Sequence, residues 1–109
     1  MINSVNKLEK IFAIQTALQK KMNVVFNIDY YKTMQLALEN ELHEALRELP
    51  WKPWKKNQQP NIENCKNELI DALHFYINLC LYCGMTSNEL FKKYCEKNKI
   101  NFERQNNNY

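Results

Sequence analysis

The sequence predicts an all-α protein, a compact four-helix bundle built as a single domain over residues 1–109. Apolar residues recur at spacings of three and four in four separate segments, which is the helical period. Glycine occurs once and proline three times, so the chain has few positions suited to tight turns. Apolar residues make up 45% and charged residues 25%, as is typical of a globular domain. A chain of this length buries one core.

The first predicted helix runs from Ser4 to Met22 and the second from Ile28 to Leu49. Each carries an apolar stripe of the kind that a helix buries against its neighbours. The segment WKPWKKNQQP, residues 51–60, holds two prolines among mostly polar residues, so we predict a loop. Its tryptophans, Trp51 and Trp54, either cover the core or close over a bound base.

The third predicted helix runs from Ile62 to Tyr82 and ends near Gly84, a residue suited to a helix C-terminus. The fourth opens at Thr86, with Glu89 three residues later in the spacing of a capping box. It continues to Arg104. The two halves of the chain therefore contribute two helices each.

Two similar segments, ELHEAL at 41–46 and ELIDAL at 68–73, place acids among apolar neighbours. The four acids are Glu41, Glu44, Glu68 and Asp71. An ionised carboxylate on a buried face is destabilising unless a cation or a proton compensates it. Carboxylate oxygens suit Mg²⁺ or Mn²⁺ rather than zinc. We predict a metal site between the second and third helices; the alternative is two solvated helix faces.

Polar residues interrupt the apolar stripe of the first helix. Gln15 and Gln19 lie within about 20° of Leu8 around the helix axis. Buried amides need hydrogen-bond partners. They either bond within the bundle or face a pocket and read a ligand, and both interpretations remain open.

Basic residues follow a similar pattern on the fourth helix. The stripe begun by Leu90 and Tyr94 continues with Lys97, Asn101 and Arg104. Cations and an amide on an inward face indicate phosphate binding; the alternative is a frayed helix end in water. The loop adds Lys52 and Lys55 beside its tryptophans, as further candidates for phosphate contacts.

Charge and hydropathy argue against several classes of protein. The net charge of +3 is too small to indicate nucleic-acid binding. No apolar run reaches the ~18 residues of a membrane span, and the first residues, MINSVNKLEKIF, lack the apolar stretch of a signal peptide. We expect a cytoplasmic protein. The CLYC segment, residues 80–83, lacks a second ligand pair for zinc, so we expect four reduced and mostly buried cysteines.

Together these motifs resemble the all-α NTP pyrophosphatase superfamily, which includes the MazG-like proteins and the dimeric dUTPases. The matching segments are the acid pairs at 41–44 and 68–71, IQTALQ at 14–19, WKPWKK at 51–56, ELIDALHF at 68–75 and KNKINFERQ at 97–105. The dimeric dUTPases usually carry extra helices before the basic motif. Here 25 residues separate Asp71 from Lys97, which is more similar to a minimal MazG-like chain.

The resemblance implies roles for individual residues. It implies Mg²⁺ binding by the four acids, phosphate contacts by Lys97, Asn101 and Arg104, and a base pocket lined by Gln15, Gln19, His74 and Phe75. It also implies a homodimer, which a bundle this small needs to complete its pocket. We assign Glu44 to orienting or deprotonating the attacking water.

The sequence thus predicts a Mg²⁺-dependent nucleoside triphosphate pyrophosphohydrolase, with dUTP as the favoured substrate and Mn²⁺ as an alternative cation. One alternative is a MazG-like enzyme acting on another or a modified nucleotide. The other is a non-enzymatic helical module whose acids and bases pair with a partner. Binding of Mg²⁺ discriminates the enzymes from the module.

Overall fold

A computed structural model describes residues 6–107 and contains four α-helices, with no strand among these residues. The helices are α1 (Lys7–Lys21), α2 (Ile28–Arg47), α3 (Ile62–Tyr82) and α4 (Ser87–Asn106). The predicted all-α class is confirmed. Each helix begins after a residue whose side-chain oxygen accepts a hydrogen bond from the backbone N–H three positions on. These caps are Asn6, Asn27, Asn61 and Thr86.

The helix boundaries differ from the predictions by a few residues. The predicted start at Ser4 lies outside the described residues, and α1 begins at Lys7 because Asn6 caps it. Helix α2 ends two residues before the predicted Leu49, whereas α3 has the predicted bounds. Gly84 follows α3 with φ of 71°, a left-handed conformation that glycine adopts without strain. Helix α4 extends two residues beyond Arg104.

Helices α2 and α3 form an antiparallel hairpin. The Asn61 backbone N–H donates to the Glu48 carbonyl at 2.8 Å and closes the loop. At the far end the rings of Tyr31 and Tyr82 lie 5.2 Å apart. Between these ends the small side chain of Ala45 is buried, which allows close approach of the helices. The hairpin register therefore places the acids of α2 opposite those of α3.

A small core joins the other helices. It consists of Phe12 from α1 with Ile77 and Cys80 from α3, all at most 6% exposed. Partly buried apolar residues pack on it: Leu8, Leu81, Met85 and Leu90. Helix α4 leaves α3 at a bend of 102°. It contacts the rest of the chain through its first turns.

The chain is more extended than a compact monomer of its size. Its radius of gyration is 17.7 Å, against about 13 Å for a compact chain of this length. Its accessible surface is 8986 Å², against about 6,400 Å² for a compact monomer of this mass. Large apolar side chains of α4 lie in solvent, among them Phe91, Tyr94 and Phe102. Within residues 6–107 the four helices of the predicted bundle are present, and the later turns of α4 extend away from the other three.

Two further expectations concern the surface. Within residues 6–107 no single helix is long and apolar enough to cross a membrane; by length and composition alone the bent pair α3–α4 meets that criterion. The expectation of mostly buried cysteines is wrong, since Cys83 and Cys95 are exposed and Cys80 is buried. Both exposed thiols lie outside the small core, Cys83 at the C-terminal cap of α3 and Cys95 on α4.

Candidate active site

Three of the predicted metal ligands converge on the hairpin. One carboxylate oxygen from each of Glu41, Glu44 and Glu68 lies within 4.8 Å of the other two, and all three residues are half-buried. The antiparallel register produces this cluster, because it sets the end of α2 opposite the start of α3. Asp71, one turn along α3, is exposed and lies outside this cluster, although it lines the adjoining cleft.

Glu41 is the most perturbed of these acids. Its Oε2 is buried and has no hydrogen-bond partner within residues 6–107. Burial raises the pKa of Glu41 to about 7, and the neighbouring carboxylates of Glu68 and Glu44 add to the effect. A buried oxygen without a donor, among acids that repel one another, fits a hard divalent cation. The residues present therefore suit the Mg²⁺ that the sequence predicts.

This raised pKa predicts how the metal-free protein responds to pH. Glu41 is protonated in the fold up to about pH 7 but ionises near 4.5 in the unfolded chain. Its contribution to the free energy of unfolding is therefore complete below the lower value and is lost as pH rises through the higher one. We expect the melting temperature in EDTA to fall across this window and Mg²⁺ to reverse the fall.

Thermal melts with and without Mg²⁺, at a series of pH values, test this expectation. Glu41→Gln should flatten the profile in EDTA, because the amide does not titrate. Glu39→Gln, an exposed acid on the same helix, is the matched control and should leave the profile unchanged. A wild-type profile that is flat in EDTA would contradict the assignment.

A cleft of about 370 Å³ extends from the carboxylates between α1, α2 and α3. The predicted base-binding residues all line it: Gln15, Gln19, His74 and Phe75. His74 is exposed, Phe75 is half-buried and the two glutamines are each 5% exposed. The structure thus brings the predicted base residues to one cavity that also reaches Glu41 and Asp71.

The two buried glutamines have partners within the chain. Gln15 Nε2 donates to Asn78 Oδ1 at 2.7 Å, and the Tyr30 hydroxyl donates to Gln19 Oε1 at 2.8 Å. Asn78 Nδ2 in turn contacts Met34 Sδ at 3.3 Å. The sequence left two interpretations of these amides open, bonding within the bundle or facing a pocket. Both hold, because the amides bond within the bundle and also line the cleft.

Asn78, Tyr30 and Met34 also line the cleft, although no sequence pattern marked them as site residues. A signal for Asn78 was present: it is a polar residue two turns after Asp71, in the mostly apolar second half of α3. Tyr30 and Met34 looked like ordinary members of an apolar helix face. Burial raises the pKa of the Tyr30 phenol, so this side chain is a neutral hydroxyl.

The cleft has two chemically distinct ends. Asp71 and Asn78, which both line the cleft, are seven residues apart on α3, which is about 10 Å along the helix axis. Carboxylates lie at the end near the loop, and amides with an aromatic ring lie at the other. This separation suits a ligand with a charged tail and a planar polar head.

The predicted phosphate-binding residues of α4 do not reach this cleft within one chain. Lys97 shares a surface pocket with Tyr76 and Leu90. Tyr76 and Asn78 lie about 160° apart around α3, so that pocket is on the opposite side of the helix. Asn101 lies further along α4 and is exposed. The expected inward orientation of this stripe is wrong for the single chain, since α4 diverges at its bend.

The loop lysines, Lys52 and Lys55, follow α2 in the chain. The loop begins directly after the end of α2 that carries Glu44. Gln58 Nε2 donates to the backbone carbonyls of Lys52 and Lys55, which fixes the turn. The Lys52 Nζ lies 5.7 Å from the Trp51 ring centroid. Neither lysine lines the cleft as described, so their predicted phosphate contacts stay a prediction.

Comparison with known proteins agrees with this geometry. The protein family described as dUTPase matches residues 7–89 and 76–109. The chain belongs to this dUTPase family. The predicted resemblance to the all-α NTP pyrophosphatases is thereby confirmed, and the family match spans the carboxylates, the cleft and α4.

Two curated relatives of this dUTPase-family chain are dCTP pyrophosphatases. The protein of Enterobacteria phage T4 is 41% identical over 71 residues, covering 54% of this chain and 42% of the T4 protein. That of Enterobacteria phage LZ5 is 41% identical over 71 residues, covering 54% and 41%. The chain thus spans about two fifths of the length of these relatives. No solved structure matches the chain.

Proposed function

We propose that this dUTPase-family chain is a Mg²⁺-dependent nucleoside triphosphate pyrophosphohydrolase that converts dUTP to dUMP and pyrophosphate. The observation that carries the proposal is the carboxylate cluster around the unpaired Glu41 oxygen, at one end of a cleft with buried amides at the other. That arrangement matches a triphosphate at one end and a base at the other. Mn²⁺ fits the same oxygen ligands.

The acids have distinct tasks in this proposal. Glu41, Glu68 and Asp71 hold the cation, and Glu44 also orients or deprotonates the attacking water. When bound, Mg²⁺ would neutralise charge on the phosphates and lower the pKa of a water molecule. Lys52 and Lys55, in the loop at the same end of the hairpin, would contact the phosphate tail.

The base end favours a pyrimidine. The two buried amides of α1, with Phe75 beside them, offer donors, acceptors and an apolar ring within one small cavity. An amide pair complements the N3–H and O4 of uracil, since it both accepts and donates. The names of the two phage relatives make dCTP the second candidate substrate.

A second copy of the chain is part of the proposal. The surface in excess of a compact monomer is about 2,600 Å² per chain, and burying it on both subunits would give an interface as large as those of obligate homodimers. Phe91, Tyr94 and Phe102 of α4 are each more than 60% exposed and supply apolar contact area. We propose that α4 packs on the partner subunit and carries Lys97, Asn101 and Arg104 to the partner's carboxylates. The homodimer would act on free nucleotides in the cytoplasm.

A pyrophosphate-release assay across all deoxynucleoside and nucleoside triphosphates tests the proposal. With Mg²⁺ we expect dUTP to be hydrolysed to dUMP, and EDTA to abolish the reaction. Hydrolysis confined to a purine or a modified nucleotide would replace dUTP and retain the metal chemistry. If no nucleotide is hydrolysed and Mg²⁺ does not stabilise the fold, the non-enzymatic helical module replaces the enzyme.

A further inference from the structure

Each buried amide at the base end is held by a partner that can exchange donor and acceptor roles. Gln15 is bonded to the amide of Asn78, and Gln19 to the hydroxyl of Tyr30. All four side chains line the cleft. An amide has one donor end and one acceptor end, and a hydroxyl can either donate or accept. Neither contact therefore commits its glutamine to a single orientation.

The orientations in the structure are opposite at the two glutamines. The nitrogen of Gln15 faces Asn78, so its oxygen lies at the far end of the amide. The oxygen of Gln19 faces Tyr30, so its nitrogen lies at the far end. The two residues are one turn apart on α1, on the same face. The Gln15 oxygen, an acceptor, therefore lies beside the Gln19 nitrogen, a donor. We call this order of acceptor and donor the polarity of the glutamine pair.

This pairing complements a pyrimidine edge. Uracil carries the N3–H donor beside the O4 acceptor, and cytosine carries the N3 acceptor beside the N4 amino donor. At a fixed position of the ring, one polarity of the glutamine pair matches uracil. The reversed polarity, with both amides turned by half a rotation, matches cytosine.

Reversal retains both strong hydrogen bonds. If Gln15 and Asn78 turn together, the Asn78 nitrogen donates to the Gln15 oxygen. If Gln19 turns, its nitrogen donates to the Tyr30 oxygen once the hydroxyl proton has rotated away. The contact that is lost joins Asn78 Nδ2 to Met34 Sδ at 3.3 Å, and a thioether is a weak acceptor. The two polarities therefore have similar free energies.

We propose that Asn78 and Tyr30 are specificity-determining positioning residues that let Gln15 and Gln19 reverse their polarity, so that one pocket reads both uracil and cytosine. This inference rests on the proposed pyrophosphohydrolase function and deepens it. It assigns the protein two substrates, the deoxynucleotides of uracil and cytosine, rather than one.

The wild-type protein provides the first test, through kcat/KM for dUTP and dCTP with Mg²⁺. A site whose hydrogen-bonding groups have a fixed orientation rejects the wrong base by roughly 10⁴-fold. If the glutamines can reverse, kcat/KM for dUTP and for dCTP should agree within about tenfold. A preference of about a hundredfold or more for either base would overturn the inference and leave the pyrophosphohydrolase standing. If neither is hydrolysed, the proposed function itself fails.

A substitution at Asn78 provides the second test. Asn78→Asp is close to isosteric, and the introduced carboxylate, ionised at about pH 8.5, accepts hydrogen bonds only. It should hold the Gln15 nitrogen towards itself and change the dUTP/dCTP ratio of kcat/KM by about tenfold or more. Asn64→Asp, exposed on the same helix, is the matched control and should leave the ratio unchanged. Equal losses on both substrates would make Asn78 a structural residue and overturn the inference.

A third test needs no variant and so does not depend on the folding of Asn78→Asp. Crystal structures of the wild type with Mg²⁺ and the α,β-imido analogues of dUTP and dCTP should show both rings in the same position. The hydrogen-bond pattern at Gln15 and Gln19 should be reversed between them. A base that shifts along an unchanged glutamine pair would overturn the inference.

Discussion

Glu68→Gln is expected to lower kcat/KM by roughly a hundredfold or more and to remove most of the stabilisation by Mg²⁺. The substitution keeps the side chain's size but removes one charge from the three-carboxylate cluster. A cation at about 100 times its Kd adds roughly 2.7 kcal/mol to the free energy of unfolding. For a chain near 100 residues this is a rise in Tm of roughly 10 °C or more. The pyrophosphate-release assay and thermal melts in EDTA and in Mg²⁺ measure both effects.

A neighbouring acid provides the control for Glu68. Glu63 lies in the first turn of the same helix and forms an exposed ion pair with Lys66 at 3.1 Å. Exposed pairs contribute little to stability, so Glu63→Gln should leave both activity and the response to Mg²⁺ near wild type. If the wild type shows no shift in Tm at millimolar Mg²⁺, the metal assignment is wrong.

The helices and the carboxylate cluster followed from sequence because their determinants are local. Capping residues such as Asn61 and Thr86 act within one turn, so the start of α3 and the capped start of α4 were predicted correctly. The acids needed one further assumption, that two adjacent helices joined by a loop pack antiparallel. That assumption holds, since α2 packs along α3 and the Asn61 N–H to Glu48 carbonyl bond closes the loop between them.

Hydrogen bonds between residues far apart in the sequence were not predictable in the same way. Gln15 and Asn78 are 63 positions apart, and helical periodicity does not specify which side of α3 faces α1. The direction of α4 was missed for a related reason. Leu90 does pack on the core, but the 102° bend after α3 takes the rest of the stripe away. Apolar periodicity identifies one face of a helix, whereas the geometry of the preceding turn determines which element that face packs against.

Mixing two inactive variants should restore activity if α4 acts on the partner subunit. One chain carries Glu68→Gln, and the other carries Lys97→Ala together with Arg104→Ala. The basic double variant alone should lose about a hundredfold in kcat/KM, since each charge-assisted contact is worth roughly 1.5–3 kcal/mol. In a mixed dimer, one site combines the intact carboxylates of the second chain with the intact α4 of the first.

Random mixing of equal amounts makes half of the dimers mixed, each with one intact site, so roughly a quarter of wild-type activity should return. Co-expression with two tags isolates the mixed species, and sedimentation should give twice the 13.2 kDa of one chain. A mixture of Glu68→Gln with Glu41→Gln is the matched control. It should stay inactive, because every site in it has a damaged carboxylate cluster. If the first mixture also stays inactive while mixed dimers form, Lys97 and Arg104 do not act on the partner's site, and the divergent α4 has another role.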